Sequence, residues 1–479
     1  MSNPSLAVAK PRRNAELLLL ILALAVGIGA NFIVSFEPGQ PLAGEFYSQA
    51  IVFALMTLGL HIVLRYRAQY ADPVILPTVV ALNGLGLAMI HRIDLELSPE
   101  NQVGNRQLLW TILGMAFCGA VLWAVKDHRV LRRFTYISLV VSGVLLALPL
   151  LPFIGMEING ARIWINLGFA TFQPGEIAKI TLAIFFAGYL SMNRDLILLA
   201  GKKVGPIQFP RFRDLAPMIV AWLASIGILV FQTDLGSAIL FFGLFVVMIY
   251  VATGRLSWIL IGLVLVAAGG FFAYRTFSHV AARIDTWLNA FDPEVYDALG
   301  GSRQVVQGLF GMADGSLFGR GLGGGSPTTT YFANSDMIIA SFGEELGMIG
   351  LYAILLLFLI LVSRGVRAAL GTRDGFGKLL AVGLSLSIAL QVFVVVGGVT
   401  RLIPLTGLTT PFMAAGGSSL LANWIIVALL LRISDNARRP SPAQQAPQEP
   451  FPQTGDPAGM PPSGTPEATD VIRPEGARA

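Results

Sequence analysis

The stretch LAPMIVAWLASIGILVFQTDLGSAILFFGLFVVMIYVAT, residues 215–253, decides the fold, because it contains two long apolar runs separated by one short polar turn. Its single charged side chain is Asp234, in that turn. A helix that crosses the hydrocarbon core of a bilayer needs about 20 mostly apolar residues. The stretch therefore predicts two membrane-spanning helices, 215–231 and 235–252, joined by a tight turn.

The composition of the whole chain is that of a membrane protein. Of its 479 residues, 54% are hydrophobic and 13% are charged, whereas soluble domains carry about 25% charged residues. A soluble multidomain enzyme and a disordered protein are thereby excluded. The single cysteine, Cys118, cannot form a disulfide within the chain. The excess of 33 Lys and Arg over 28 Asp and Glu is too small to indicate binding to nucleic acid.

Similar apolar runs elsewhere predict an all-α polytopic membrane protein with about twelve transmembrane helices. The first run, 15–36, follows three basic residues, and its length favours an uncleaved anchor over a signal peptide. If both chain ends are cytoplasmic, the connections rich in Lys and Arg also face the cytoplasm, as the positive-inside rule requires. The other predicted spans are 48–64, 73–91, 107–126, 134–154, 173–192, 215–231, 235–252, 256–274, 337–363, 378–399 and 410–433.

Three segments lie outside these spans. Residues 1–14 are predicted to form a short cytoplasmic tail. Residues 436–479 are rich in Pro, Gln and Gly and cannot bury enough apolar area to fold, so we predict a disordered cytoplasmic tail. Residues 275–336 form a long external loop, and its aromatic residues favour a functional role.

Ionisable residues at membrane depth are costly and indicate function or a specific partner. Glu176 and Lys179 share one helix face, which fits either an ion pair between helices or a polar cavity open to the outer face. Asp234 can cap the helix that follows it. The adjacent Glu344 and Glu345 point in different directions, and Arg401 could be a partner or an anion clamp.

Acidic and basic residues also concentrate on the predicted external side. Carboxylates beside arginines suit a reaction in which a base removes a proton while cations hold a phosphate-bearing leaving group, although solvated loops are commonly charged. The glycine-rich run GRGLGGGS, 319–326, follows no strand and is predicted to be a flexible hinge. The acids and arginines concerned are Asp285, Asp292, Glu294, Asp297, Arg162, Arg283, Arg303 and Arg320.

Six motifs in order along the chain resemble the signatures of the SEDS family, the RodA and FtsW proteins of bacterial wall synthesis. The resemblance extends from about 73 to 433 and is closer to RodA. The extended N-terminus and Pro-rich tail resemble the actinobacterial branch. The motifs are NGARIWINLG (159–168), FQPGEIAK (172–179), TDLGSA (233–238), GLFG with GRGLG (308–323), SFGEELG (341–347) and PLTGLTTPFMAAGGSSL (404–420).

This resemblance implies a ten-helix catalytic core, 73–433, preceded by two additional spans within 15–64. It implies a peptidoglycan glycosyltransferase that polymerises lipid II at the outer face of the cytoplasmic membrane, with inversion and release of undecaprenyl pyrophosphate. It further implies a class B penicillin-binding protein as partner, beside other elongation or division proteins, and favours elongation. No cofactor is certain, but a divalent cation, Mg or Mn, could act near the pyrophosphate.

The resemblance also assigns candidate site residues. The first choice for the catalytic base is Asp297, seven residues before Gln304, and the second is Asp292, which precedes a proline. Arg303 stands where the family has a tyrosine, and Thr233 where it has a proline. The candidate substrate or cavity residues are Arg162, Glu176, Lys179, Asp234, Arg303, Asp336, Glu344, Glu345, Arg401 and Ser418.

Two other functions explain parts of the same pattern. Buried charges near the middle of a membrane also suit a lipid II flippase or transporter, although the carboxylates here concentrate in an external loop. A non-catalytic scaffold would recruit wall-synthesis proteins through its tail and would tolerate a substitution at Asp297.

Overall fold

A computed structural model describes residues 11–158, 160–168, 170–199, 201–204, 207–210 and 212–440. Eleven helical segments in these ranges are long and apolar enough to cross a membrane, and a shorter apolar helix spans Ala216–Phe231. The predicted class, a mostly α-helical polytopic membrane protein, is confirmed. The first ten residues and most of the predicted C-terminal tail, 441–479, lie outside the described residues.

Most helices follow one another with short connections; the longer ones lie between α5 and α6, between α9 and α13, and between α14 and α15. They are α1 (Arg13–Ser35), α2 (Gly44–Arg67), α3 (Ile75–Asp94), α4 (Gly104–Ala124), α5 (Thr135–Ala147), α6 (Pro174–Leu199), α7 (Phe212–Phe231), α8 (Leu235–Thr253), α9 (Ser257–Thr276), α10 (Ser278–Leu288), α11 (Pro293–Asp297), α12 (Arg303–Gly315), α13 (Ile338–Gly371), α14 (Gly375–Val399) and α15 (Gly417–Arg438).

The two N-terminal helices pack against the helices that follow them. Along α1 and α3 the backbones approach closely where Gly27 faces Gly84, since a Cβ added to either glycine would lie 2.8 Å from the other Cα. At the start of α1, Arg13 donates to the carboxylate of Glu16, and Glu16 also contacts His61 Nδ1 of α2 at 2.8 Å. The division into 15–64 and 73–433 remains a prediction.

Three short strands follow α5, and the all-α expectation missed them. The predicted span 134–154 ends early, because Pro149 lies in a 3-10 turn after α5 and proline cannot continue a helix hydrogen-bond ladder. The antiparallel sheet has the order β1 (Gly155–Ile158), β2 (Ala161–Asn166), β3 (Thr171–Phe172), and a second hairpin is formed by β4 (Gly201–Val204) and β5 (Ile207–Pro210).

The last predicted span, 410–433, is displaced, because residues 402–416 form no helix and α15 begins at Gly417. Helix α15 also continues through Arg438, so the predicted tail does not begin at 436. Irregular backbone at membrane depth requires partners for its polar groups. Side-chain amides supply them: Asn83 donates to Phe412 O at 3.0 Å, Gln107 to Ala414 O at 3.0 Å and Gln391 to Thr409 O at 2.9 Å.

The predicted external loop is largely helical. Helices α10, α11 and α12 succeed one another between α9 and α13, and α12 packs against α13. The short helix α11 carries Asp292 at its N-cap and Asp297 at its last position, and both residues are exposed.

Candidate functional site

A buried ion pair on α6 is hydrogen-bonded to α14. Lys179 Nζ donates to Glu176 Oε2 at 2.9 Å and to Gln391 Oε1 at 2.8 Å. Lys179 is only 1% exposed and Gln391 is fully buried. The spacing argument from the sequence anticipated the pair. It gave no sign that Gln391, far along the chain, completes the coordination of the ammonium group.

The N-terminus of α15 extends this polar cluster. Ser418 Oγ accepts from the backbone N–H of Gln173 at 2.9 Å, just before α6. Ser419 Oγ accepts from Gln391 at 3.4 Å and from Asn423 at 3.2 Å. The cluster therefore ties together α6, α14 and α15. Ser419 belongs to the GGSSL end of the last motif but not to the candidate set, and sequence analysis missed Asn423, although a polar side chain in an otherwise apolar segment could have indicated it.

Asp234 caps α8, as the sequence predicted, because its Oδ1 accepts from Ser237 N at 2.9 Å. The turn before it binds the β1–β2 hairpin. Thr233 Oγ1 donates to Gly160 O at 2.6 Å, and Arg162 N donates to Gln232 O at 3.2 Å. The side chain of Arg162 is exposed on β2. The NGAR and TDLG motifs therefore meet at the same end of the helices.

The charge of Arg283 on α10 acts on two carboxyl groups, the buried Asp234 and the half-buried Asp336. Arg283 donates to Thr406 O at 3.3 Å in the irregular segment. Burial raises the pKa of Asp234, and it also raises the pKa of Asp336; the positive charge of Arg283 opposes the rise in both. Asp336 accepts a hydrogen bond of 3.0 Å from Ser335. The candidate set omitted Arg283, whose charge acts on both acids.

The two candidate bases differ in their contacts. Asp292 Oδ1 caps α11 by accepting from Glu294 N at 3.0 Å. Asp297 Oδ1 lies 3.8 Å from Arg303 Nη2, and the side chains of this pair are 70% and 49% exposed. The guanidinium of Arg303 also lies over the ring of Tyr296, 5.3 Å from its centroid. Asp297 thus carries a cation beside it and remains accessible to solvent.

Glu344 and Glu345 form a separate group on α13. Glu345 Oε1 lies 3.0 Å from Arg92 Nε, and its Oε2 accepts from Gly323 N at 2.9 Å. Glu344 Oε1 accepts from Ser326 N at 2.6 Å. The glycine-rich run 319–326 is therefore bonded to two carboxylates, and the predicted flexible hinge stays a prediction.

Arg401 does not pair with either glutamate, and its role as an anion clamp stays a prediction. Its Nε donates to Trp287 O at 2.8 Å and its Nη2 to Leu288 O at 2.8 Å, so the guanidinium binds the end of α10. The expected pairing with a glutamate is absent because the guanidinium binds Trp287 and Leu288 instead. These residues are distant in sequence and offer backbone carbonyls, which no side-chain pattern reveals.

Most of the candidate residues therefore fall into four places. Glu176, Lys179 and Ser418 share the buried cluster; Asp234 and Asp336 both feel the charge of Arg283; Glu344 and Glu345 bind the glycine-rich run; and Asp292, Asp297 and Arg303 lie on the exposed external helices. Of the two remaining candidates, Arg162 lies on β2 beside the turn of Asp234, and Arg401 binds the end of α10. Within the described ranges, no three His, Cys, Asp or Glu side chains are grouped so that they could hold a metal ion. The predicted divalent cation has no protein ligand set in this part of the chain.

The fold and site define a polytopic membrane protein with a buried charged cluster and an external helical segment that carries accessible carboxylates. The family model of FtsW, RodA and SpoVE, described as cell cycle proteins, matches residues 73–439. The chain belongs to this family. The closer resemblance to actinobacterial RodA is confirmed by RodA of Mycobacterium tuberculosis (strain ATCC 25618 / H37Rv), named a peptidoglycan glycosyltransferase, which is 50% identical over 438 residues, 90% of this chain and 92% of that relative.

Two solved structures share the fold. RodA of Thermus thermophilus, a rod shape determining protein, superimposes with a TM-score of 0.52 at 25% identity, over 76% of this chain and 96% of that one. A chain from a structure described as "Structural coordination of polymerization and crosslinking by a peptidoglycan synthase complex" gives a TM-score of 0.62 at 24% identity, over 77% and 98% of the two chains.

Proposed function

We propose that this chain is a peptidoglycan glycosyltransferase that polymerises lipid II into glycan strands for cell elongation. The activity is the one named for its RodA relative at 50% identity. The observation that supports it most directly is the position of Arg283. This residue lies on α10, immediately before the helix with the two candidate bases, and it contacts the irregular segment between α14 and α15. An acidic external segment is thereby joined to the polar end of the helices.

The reaction needs one base and positive charge near the leaving group. A carboxylate, Asp297 as first choice and Asp292 as second, accepts the proton of a sugar 4-hydroxyl. The oxygen then attacks the anomeric carbon of a second lipid II from the face opposite the pyrophosphate, so that configuration is inverted. The bond to the pyrophosphate breaks, and undecaprenyl pyrophosphate leaves with the electron pair. Arg283 and Arg303 are the cations that can stabilise its charge.

The proposed activity also implies where the protein lies and which proteins it binds. The distribution of Lys and Arg supports cytoplasmic chain ends and an external segment on the outer face of the cytoplasmic membrane. A class B penicillin-binding protein would cross-link the strands, and other elongation or division proteins would join the complex. The similar chain from a peptidoglycan synthase complex, in which polymerization and crosslinking are coordinated, supports such a partner.

The test uses purified chain with its class B partner and labelled lipid II, and glycan polymer is measured on a gel. Because general-base catalysis contributes about 10²–10⁴-fold, Asp297→Asn should reduce the initial rate at least about 100-fold. Asp314→Asn is the matched control, since Asp314 is an exposed aspartate of the same segment that pairs with Arg320. Asp292→Asn is compared in parallel.

Each outcome has a distinct meaning. Loss of polymer with Asp292→Asn alone moves the base to Asp292 and keeps the reaction. Wild-type rates in both variants would contradict the assignment of the base to Asp292 or Asp297 and would require another base. Absence of polymer from wild type with its partner present would contradict the proposal. A fluorescent lipid II that then crossed vesicle bilayers would indicate a transporter.

A further inference from the structure

The junction between α14 and the external segment is fixed by a reciprocal set of hydrogen bonds. The guanidinium of Arg401 donates to the carbonyl oxygens of Trp287 and Leu288, each at 2.8 Å. In return, Trp287 Nε1 donates to Arg401 O at 3.0 Å. Three hydrogen bonds therefore join Arg401, which follows α14, to the last turn of α10.

The two carbonyls are the kind of acceptor that a helix leaves free. The last carbonyls of an α-helix have no partner within the helix, and a cation at that end also interacts favourably with the helix dipole. Arg401 supplies the hydrogen-bond donors and the positive charge, and such charge-assisted hydrogen bonds are stronger than neutral ones. Trp287 and Leu288 end α10, and the N-cap residue Asp292 of α11 follows shortly after them.

The backbone of Arg401 is also unusual. Its φ is +58°, a left-handed conformation that glycine adopts freely and that a residue with a side chain adopts at a cost. Such conformations persist where surrounding contacts enforce them, and they concentrate at functional sites. Here the enforcing contacts are the bonds to α10 together with Phe291, whose ring centroid lies 5.0 Å from the guanidinium carbon.

The backbone at Arg401 is hydrogen-bonded to the end of α14. Its N–H donates to Gly398 O at 3.2 Å, and the next residue, Leu402, donates to Gly397 O at 2.7 Å, so both close the end of α14. The same helix carries Gln391, which binds Lys179 in the buried cluster. A continuous series of contacts therefore leads from the buried ion pair through α14 and Arg401 to Phe291, which precedes Asp292.

We propose that Arg401 is a positioning residue: it fixes the end of α10 and thereby holds Asp292 and Asp297 over the polar end of the helices. This inference rests on the proposed glycosyltransferase function. A misplacement of about 1 Å can reduce a rate about 100-fold, so loss of the clamp should act on turnover more than on substrate binding.

The test compares Arg401→Gly, Arg401→Lys and the control Arg106→Gln in the purified complex. Glycine tolerates the left-handed backbone and removes only the clamp, so thermal unfolding should stay close to that of wild type. We expect kcat for lipid II polymerisation to fall at least about 10-fold with little change in KM, and lysine to restore part of the loss. Arg106 is an exposed arginine that also donates to a backbone carbonyl, that of Gln102, and its variant should behave as wild type.

Amide hydrogen exchange over residues 284–297, followed by mass spectrometry, supplies a readout that needs no activity. Exchange should be faster in Arg401→Gly and intermediate in Arg401→Lys. Unchanged exchange would overturn the clamp, and faster exchange with unchanged kcat would overturn positioning. A raised KM with unchanged kcat would assign Arg401 to substrate binding instead. If wild type itself makes no polymer, the proposed function fails, whereas exchange still decides whether Arg401 holds the segment.

Discussion

Two acid–base pairs in this chain have the same chemistry and opposite surroundings. Glu176 and Lys179 lie 2.9 Å apart with side chains 8% and 2% exposed, and Gln391 binds the same ammonium group. Asp297 and Arg303 lie 3.8 Å apart with side chains 70% and 49% exposed. The first pair must remain intact because both charges are buried. The second pair can exchange partners at little cost, which is what a base and a cation need when substrate arrives.

The largest effect is expected when the buried pair is broken. Lys179→Met leaves the carboxylate of Glu176 without its cation, and removal of one partner of a buried pair costs about 3–5 kcal/mol. The free energy of unfolding of the detergent-solubilised protein should fall by about that amount. The double variant Glu176→Gln/Lys179→Met leaves no isolated charge and should recover most of it. Equal losses in the single and double variants would contradict the role of the pair and indicate a packing defect.

The buried region was largely accessible to sequence analysis where its interactions are local. The Glu176–Lys179 pair follows from a three-residue spacing on a helix, and the Asp234 cap follows from an acid directly before an apolar run. The membrane spans follow from apolar runs of sufficient length. These features depend on neighbours a few positions apart, so one segment contains all the information.

Interactions between distant segments were not accessible. Arg401 binds backbone carbonyls that every residue possesses, so its partners could not be read from residue types. The glycine-rich run looked flexible because glycine permits many conformations, yet Glu344 and Glu345 hold it through its N–H groups. Strand β2 begins at Ala161, and its hairpin binds the turn before α8, which is far away in sequence.

An intermediate effect is expected at Asp374, whose side chain is 23% exposed at the start of α14. Burial alone would raise the pKa of this carboxyl group, but hydrogen bonds from His128 and Gly377 and the charge of Arg129 lower it from 3.8 to about 2. A depressed folded-state pKa stabilises the fold above the unfolded value, and the stabilisation is lost as pH falls from about 4 to about 2. It is worth about 2 kcal/mol at neutral pH.

The measurement is the unfolding free energy of wild type and Asp374→Asn between pH 7 and pH 2. The variant should be less stable by about 1–2 kcal/mol at pH 7, and the difference should vanish towards pH 2. Asp127→Asn is the matched control, because Asp127 approaches the other ring nitrogen of His128, Nδ1, at a longer distance, 3.6 Å. A difference that persists at pH 2 would show that the effect comes from packing and not from the charge.

The smallest effect on stability is expected at the exposed pair. Exposed ion pairs contribute about 0–1 kcal/mol, so Arg303→Gln should unfold almost as wild type does. Polymerisation should nevertheless slow, because the variant removes the cation beside Asp297 that can stabilise the departing pyrophosphate. Arg303→Lys keeps the charge and should retain more activity, which separates charge from bulk. A loss of stability as large as that of Lys179→Met would break the contrast between the two pairs. Unchanged stability with unchanged activity would leave the contrast intact but remove Arg303 from the reaction, so that Arg283 becomes the remaining cation for the leaving group.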